Sequence, residues 1–191
     1  HAYDPGYQVT FALMLTSAII TCTLTTRLKD HAKMSAQAAF RTKILFDTNQ
    51  LLQRAKSEEE ILSQTASQLM KLLNRSLIVY PEQNGGLGAE QIFSVDGEVP
   101  CNIFSAPEER DAANWTFANK KRSGAGTDSY PDAKGLYLAL RTGGGVFGVV
   151  GIDLSEKPLD AFENSVLLSI LGEGALAIEN RRNALEKEQA T

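Results

Sequence analysis

Histidine and cysteine are nearly absent from this chain of 191 residues, which holds two of each. Hydrolytic triads and metal centres draw heavily on those two residue types, brought together in clusters. His1 and His31 sit in unrelated settings, and so do Cys22 and Cys101, so neither kind of chemistry is indicated and no metal or cofactor is expected. A disulfide framework is disfavoured for the same reason, which fits a reducing compartment. An excess of positive charge is lacking too. The formal net charge is -4, where binding along a phosphate backbone calls for a basic face, so nucleic acid is not an expected partner. Proline (6) and glycine (15) are too sparse for a disordered chain, and the length suits one domain with helical extensions.

Charge is missing altogether from Val9 to Thr26, VTFALMLTSAIITCTLTT. Arg27, Lys29, Lys33, Arg41 and Lys43 follow, opposed only by Asp30. A bilayer core takes about 20 mostly apolar helical residues, and basic residues stay on its cytoplasmic side. A membrane-spanning helix is therefore the leading reading of 9–26, although its threonines and serines make the hydropathy borderline. A signal peptide would carry its positive charge on the other flank. A buried soluble helix is the third reading. The chain opens on His1 without a methionine, as an internal piece of a longer protein would, and 1–8 would then be an extracytoplasmic connection.

Helical spacing resumes in Phe40, Ile44, Leu51 and Ala55, with Leu45 and Leu52 alongside, which predicts a linker helix from about Ser35 to Lys56. Ser57 and Glu60 form a capping-box pattern for a second helix whose stripe is Leu62, Ala66, Leu69 and Leu73. SLIVYPE, ended by Pro81 and the turn-rich NGGLG, reads as a strand, with QIFSV at 91–95 as a partner. A helix is predicted from Ser105, Pro107 and Glu108, carrying Trp115 and Phe117, and is followed by the irregular loop 123–133. GLYLALR (135–141) and VFGVVGIDL (146–154) read as a hairpin whose turn, Gly143–Gly145, takes positive φ angles. Asp160 and Glu163 cap a long final helix with a stripe of Leu167, Leu171, Gly174, Ile178 and Leu185. It has no stop signal, so a helix that continues is expected. Antiparallel strands with flanking helices give an α+β fold.

The order of these parts resembles a GAF domain, and more narrowly the GAF region of KdpD-type osmosensitive potassium-channel sensor histidine kinases. The resemblance is carried by LTTRLKDHA (24–32), RTKILFDTNQLLQRA (41–55), KLLNRSLIVY (71–80), VFGVVGIDL (146–154) and PLDAFENSVLLSILGEGALAIENRRNALEKE (158–188). It implies a last transmembrane helix at 9–26, a juxtamembrane linker at 27–56 and a GAF domain with its outgoing helix at 57–187. Residues 188–191 would start the connection to a kinase core in cis. It also implies a bacterial inner-membrane protein with a cytoplasmic GAF domain, acting with a response regulator in a two-component system that regulates potassium uptake.

The chain departs from a complete kinase. His31 is followed by AKMSAQ, without the acidic neighbour and proline of a phosphoacceptor site, so a juxtamembrane polar residue is the plainer reading, and no catalytic residue is assigned. Gly143–Gly145 lacks the Lys-Ser/Thr and helix start of a phosphate cradle. Cys101 lacks the neighbouring histidine of a chromophore-binding domain and the companion thiols of a reductase, which leaves an inert thiol. The acidic pairs Glu58–Glu60 and Glu108–Glu109 fall in first helical turns, where the helix dipole accounts for them.

Ligand binding is the open question. GAF domains commonly hold a small molecule between the sheet and the helix-loop layer on one face. The resemblance places Trp115, Phe117, Thr127, Asp128, Tyr130 and Tyr137 there, although the same aromatics suit a plain core, which is the favoured reading. Two functions stay in play. One is a non-catalytic transmission region working as a homodimer through its incoming and outgoing helices, with Thr48 and Glu173 softening the helix packing. The other is a small-molecule receptor.

Overall fold

The computed structural model describes residues 5–95 and 103–190. It divides into two units, 1–44 and 45–191. Cys101 lies outside the described residues, as do 1–4 of the expected extracytoplasmic connection.

The first unit is helical throughout its described part. Helix α1 runs Pro5–Arg54 without a break, so the expected membrane and linker helices are one element. The large apolar side chains of its first half, among them Phe11, Leu13, Ile19, Ile20, Leu24 and Leu28, are exposed. The threonines that weaken its hydropathy return their hydroxyls to the helix. Thr10, Thr16, Thr21, Thr25 and Thr26 each donate to the carbonyl four residues back at 2.8 Å, and Thr23 does the same to Ile19. A polar hydroxyl satisfied in this way asks little of its surroundings. Phe40, expected on a buried stripe, is instead exposed.

The second unit begins with the last turns of α1 and a three-residue joint, 55–57. Ser57 caps α2 (Glu58–Leu73), its Oγ accepting from the Glu60 amide at 3.1 Å. The reciprocal bond of a capping box is displaced by one residue, because the Glu60 carboxylate accepts from the Lys56 amide at 2.7 Å. Asn74, at φ 50°, ends the helix in the left-handed region that asparagine tolerates.

Five strands follow one another across the sheet in the order β2-β1-β6-β5-β4, and β3 also pairs with β1. They are β1 (Leu77–Gln83), β2 (Gly86–Leu87), β3 (Gln91–Phe93), β4 (Ser123–Gly124), β5 (Gly135–Thr142) and β6 (Gly145–Asp153). Every pairing is antiparallel. β1 continues through Pro81, where the sequence suggested an end. Pro81 lies opposite Gly148, and a Cβ on Gly148 would come within 2.6 Å of the Tyr80 carbonyl oxygen, so the missing side chain allows the close approach. The Asn84–Gly85 turn, at φ 53° and 80°, closes the β1–β2 hairpin in the way an Asn-Gly pair favours.

The β5–β6 turn differs from expectation. Of its three glycines only Gly145 has a positive φ, 153°, and a bulge falls between Leu140 and Arg141. Thr142 closes the turn by accepting from the Gly144 amide at 3.0 Å, so a side chain does part of the work expected of the glycines.

Two layers cover the sheet. Helices α2 and α4 (Ala161–Gln189) pack on one face, and α3 (Pro107–Asn119) packs on the other. α4 starts with the full capping box, Asp160 accepting from the Glu163 amide at 2.7 Å and Glu163 from the Asp160 amide at 2.9 Å. Leu167, Leu171, Gly174 and Ile178 of its predicted stripe are buried, but within this chain: Gly174 lets α4 close onto Thr65 of α2. Leu185, the last member of that stripe, is 42% exposed. Buried Arg75 holds the loop into α4, donating to the carbonyls of Asp153, Lys157 and Pro158 at 3.1, 2.8 and 3.3 Å.

Candidate functional site

Period-two alternation on the strands decides which predicted residues can meet. Tyr137 of β5 faces α3 with Ile78, Tyr80 and Val149, and joins Phe104, Ala112, Ala113 and Ala133 in a buried cluster. Phe117 packs against the same cluster. These two aromatics therefore fill the space between sheet and α3. Leu136, one residue before Tyr137, points elsewhere and lines an open cleft of about 810 Å³. Trp115, Thr127 and Asp128 line that cleft with it, beside Lys121, Arg122 and Pro158. Tyr130, at φ 59° and 36% exposed, lies outside the residues that line it. The six candidates are thus split among a cleft, a core and the surface.

Within the cleft, Thr127 is occupied by its own loop. Its hydroxyl lies 2.8 Å from the Gly124 carbonyl and 2.9 Å from that of Ser129. Among the described residues, no group of three or more His, Cys, Asp or Glu side chains is placed to hold a metal ion.

Beneath α3 is a polar network that sequence reasoning missed. Glu109, assigned to the helix dipole, is 1% exposed and lies inside the domain. One of its carboxylate oxygens accepts from the Lys134 amide at 2.6 Å, and the other from the Gly135 amide at 3.1 Å and the Tyr137 hydroxyl at 2.6 Å. The dipole explanation fails because three donors of the β5 strand and its approach take up the carboxylate. The Tyr137 phenol is pushed well above its ordinary range, first by burial and then by its bond to Glu109. Burial also raises Tyr80, to about 12, with Glu90 adding to the rise and Arg110 opposing it.

Further bonds fix α3. Ser123 donates to the Ala112 carbonyl at 2.7 Å, so its 2.7 Å contact with Thr116 has Thr116 as donor. Arg110 lies over the Tyr80 ring, 5.0 Å from its centroid, and pairs with Glu90 at 2.9 Å. These are the contacts of a firmly seated layer.

A second lined space is a groove of about 420 Å³ between the end of α1 and α4, within the second unit. Asn49, Gln53, Glu173, Asn180 and Arg181 line it with Leu52, Leu176 and Leu185. Asn49 donates to Glu173 at 3.1 Å. Thr48, the other polar residue singled out on this stripe, is fully buried and its hydroxyl has no partner among the described residues.

The arrangement of sheet, covering helices and long terminal helices has close parallels among solved structures. The crystal structure of the GAF domain of the potassium sensor histidine kinase KdpD from Escherichia coli superposes with a TM-score of 0.58 at 20% identity, covering 76% of this chain and 98% of that one. The GAF domain of an Acinetobacter phosphoenolpyruvate-protein phosphotransferase superposes at 0.53 and 12% identity, covering 75% of this chain and 95% of that one. This is a GAF fold.

The sequence extends the likeness beyond the GAF domain itself. The chain is 31% identical over 188 residues to Sensor protein KdpD of Clostridium acetobutylicum, a match that covers 98% of this chain and 21% of that protein. It is 27% identical over 152 residues to Sensor protein KdpD of Escherichia coli K12, covering 78% of this chain and 16% of that one. The chain therefore resembles the GAF region of KdpD-type sensor proteins and spans only a small part of their length. No family model matches it.

Proposed function

We propose that this chain is the membrane-adjacent GAF region of a sensor histidine kinase that regulates potassium uptake, and that it transmits a signal without catalysing a reaction. The observation that carries the reading is the reach of the KdpD match, 98% of the chain, which takes in α1 and α4 as well as the GAF domain. The charge-free, apolar stretch of α1, followed by a basic flank, supports a membrane helix with the GAF domain on the cytoplasmic side. The kinase core in cis and a response regulator are the partners this reading implies.

Transmission works through a homodimer, with α1 and α4 pairing against their counterparts. On α4 the buried stripe serves the chain's own core, which leaves Leu168, Leu176 and Leu185, each 42–46% exposed, for the second copy. Two packings of such a bundle, biased by the membrane side, would carry the signal.

Native mass spectrometry of the chain released from detergent micelles tests the reading. The expected species is a dimer without added mass. A stoichiometric small molecule lost on denaturation would favour the receptor reading, with the cleft beside Trp115 as its site. A monomer without bound mass at micromolar concentration would count against a dimeric transmission region.

A further inference from the structure

Arg182 is where three elements meet. Its guanidinium makes a two-pronged pair with Glu58, the first residue of α2, with both contacts at 2.9 Å. It also reaches Glu82, near the end of β1, at 3.1 Å. The same group lies 5.1 Å from the centroid of the Phe147 ring on β6. Planar two-point recognition of a carboxylate is the geometry that arginine serves and lysine does not.

The position of this cluster along α4 gives it meaning. Ile178 is the last buried apolar residue of the helix, and 183–190 are exposed. Arg182 accordingly lies one turn beyond the last buried apolar residue of α4. At the other end of the cluster, Glu58 directly follows the joint 55–57 where α1 hands over to α2. Near Arg182 the turn Gly144 closes against Glu179, whose carboxylate would meet a Cβ there at 2.1 Å, so the β5–β6 hairpin tip packs against the same turn of α4.

We infer that Arg182 is a clasp that ties the outgoing end of α4 to the first turn of α2, so that a displacement at the 55–57 joint is passed to the point where α4 leaves the domain. This rests on the transmission reading only for its biological use; the coupling is a property of the folded chain. Glu58 and Glu82 face the same guanidinium nitrogen, so without it two carboxylates are left close together and push the elements apart.

Hydrogen exchange read by mass spectrometry, on the whole chain in lipid nanodiscs, tests the coupling. Arg182→Glu is expected to speed exchange about fivefold both at 179–186 and at 57–62, on the far side of the clasp. Adding Glu58→Arg should restore much of the protection at both places. Arg182→Met, which keeps a stem over Phe147 and folds if the reversal does not, should loosen both segments to a smaller degree. Loosening confined to 179–186, or exchange unchanged in both segments, would overturn the clasp. Signalling is judged separately. If the exchange is coupled but Arg182→Glu leaves the phosphorylation output of the full-length kinase unaltered, the transmission reading falls and the clasp stands.

Discussion

On the face covered by α2 and α4, Leu77, Val79, Leu138, Val150 and Ile152 of the sheet meet a layer that includes Leu69, Leu167, Ile170 and Ile178, all buried. The buried polar group of α2 there, Thr65, sends its hydroxyl back to the Ile61 carbonyl at 2.7 Å and makes no demand on its neighbours. On the α3 face, Ala112 and Ala113 offer little apolar bulk, and Glu109, Thr116 and Ser123 are buried among them. One face is held by area removed from water, which tolerates repacking. The other adds to its aromatic cluster a set of donors that have one acceptor each, which does not. Losing a partner on the second face should therefore cost more than losing comparable bulk on the first.

Glu109→Ala is the substitution that presses hardest on this contrast. It strands two amides and a phenol in the interior, so a loss of about 4 kcal/mol is expected, against about 3 kcal/mol for Leu69→Ala on the apolar face. Urea unfolding of the chain in detergent micelles, followed by tyrosine fluorescence and circular dichroism, gives both values. If Leu69→Ala proves much the more damaging, water has replaced the carboxylate and the α3 face is not held as described.

Gly151→Ala sharpens the comparison from the side of the sheet. A methyl at 151 would sit 2.4 Å from Tyr137 Cε1 and 2.7 Å from Ile78 Cγ2, and neither group is free to retreat. Overpacking of this kind costs about 2 kcal/mol. The Tyr137 ring should also be displaced from Glu109, which a shift of the tyrosine ring resonances would report. A neutral Gly151→Ala with unmoved resonances would mean that the cluster has slack.

The same contrast explains what could be read from the chain before its structure was known. Asp160 with Glu163, the Asn84–Gly85 turn and the apolar periods of α2 and β6 are local, so neighbouring residues announce them. Glu109 finds its partners 25, 26 and 28 residues further on, and nothing beside it in sequence points to them. An acidic residue in a first helical turn looks the same whether it faces water or a strand. Arg182 is harder still, with partners 124 and 100 residues away. The candidate pocket residues divide for a simpler reason. Tyr137 and Leu136 are adjacent, and strand parity sends one to the core and the other to the cleft, which the aromatic content alone could not decide. Trp115, Thr127 and Asp128 do come together, because β4 folds the 123–133 loop back along β5.

The smallest effect, and the one that separates the faces without altering bulk, is alkaline. Both phenols on the α3 face stay protonated in the fold when the unfolded chain has lost its protons. Tyr80 rises from 10.0 to about 12 and Tyr137 rises further, while the α2/α4 face has no buried tyrosine among the described residues. A raised pKa gives stability that is complete below the unfolded value and lost as pH climbs toward the folded one. Stability should therefore be level below about pH 9 and fall above 10, by about 1.4 kcal/mol per pH unit for each phenol still protonated in the fold. Between pH 10 and 11 Tyr80→Phe should remove about 1 kcal/mol of that fall and Tyr137→Phe a similar amount, each measured against its own stability at pH 8. Urea midpoints at pH 8, 10 and 11, with tyrosinate absorbance at the same pH values, make the test. If both variants keep the parent's full pH dependence, the alkaline loss comes from the exposed tyrosines and lysines, and the α3 face carries no special sensitivity to proton loss.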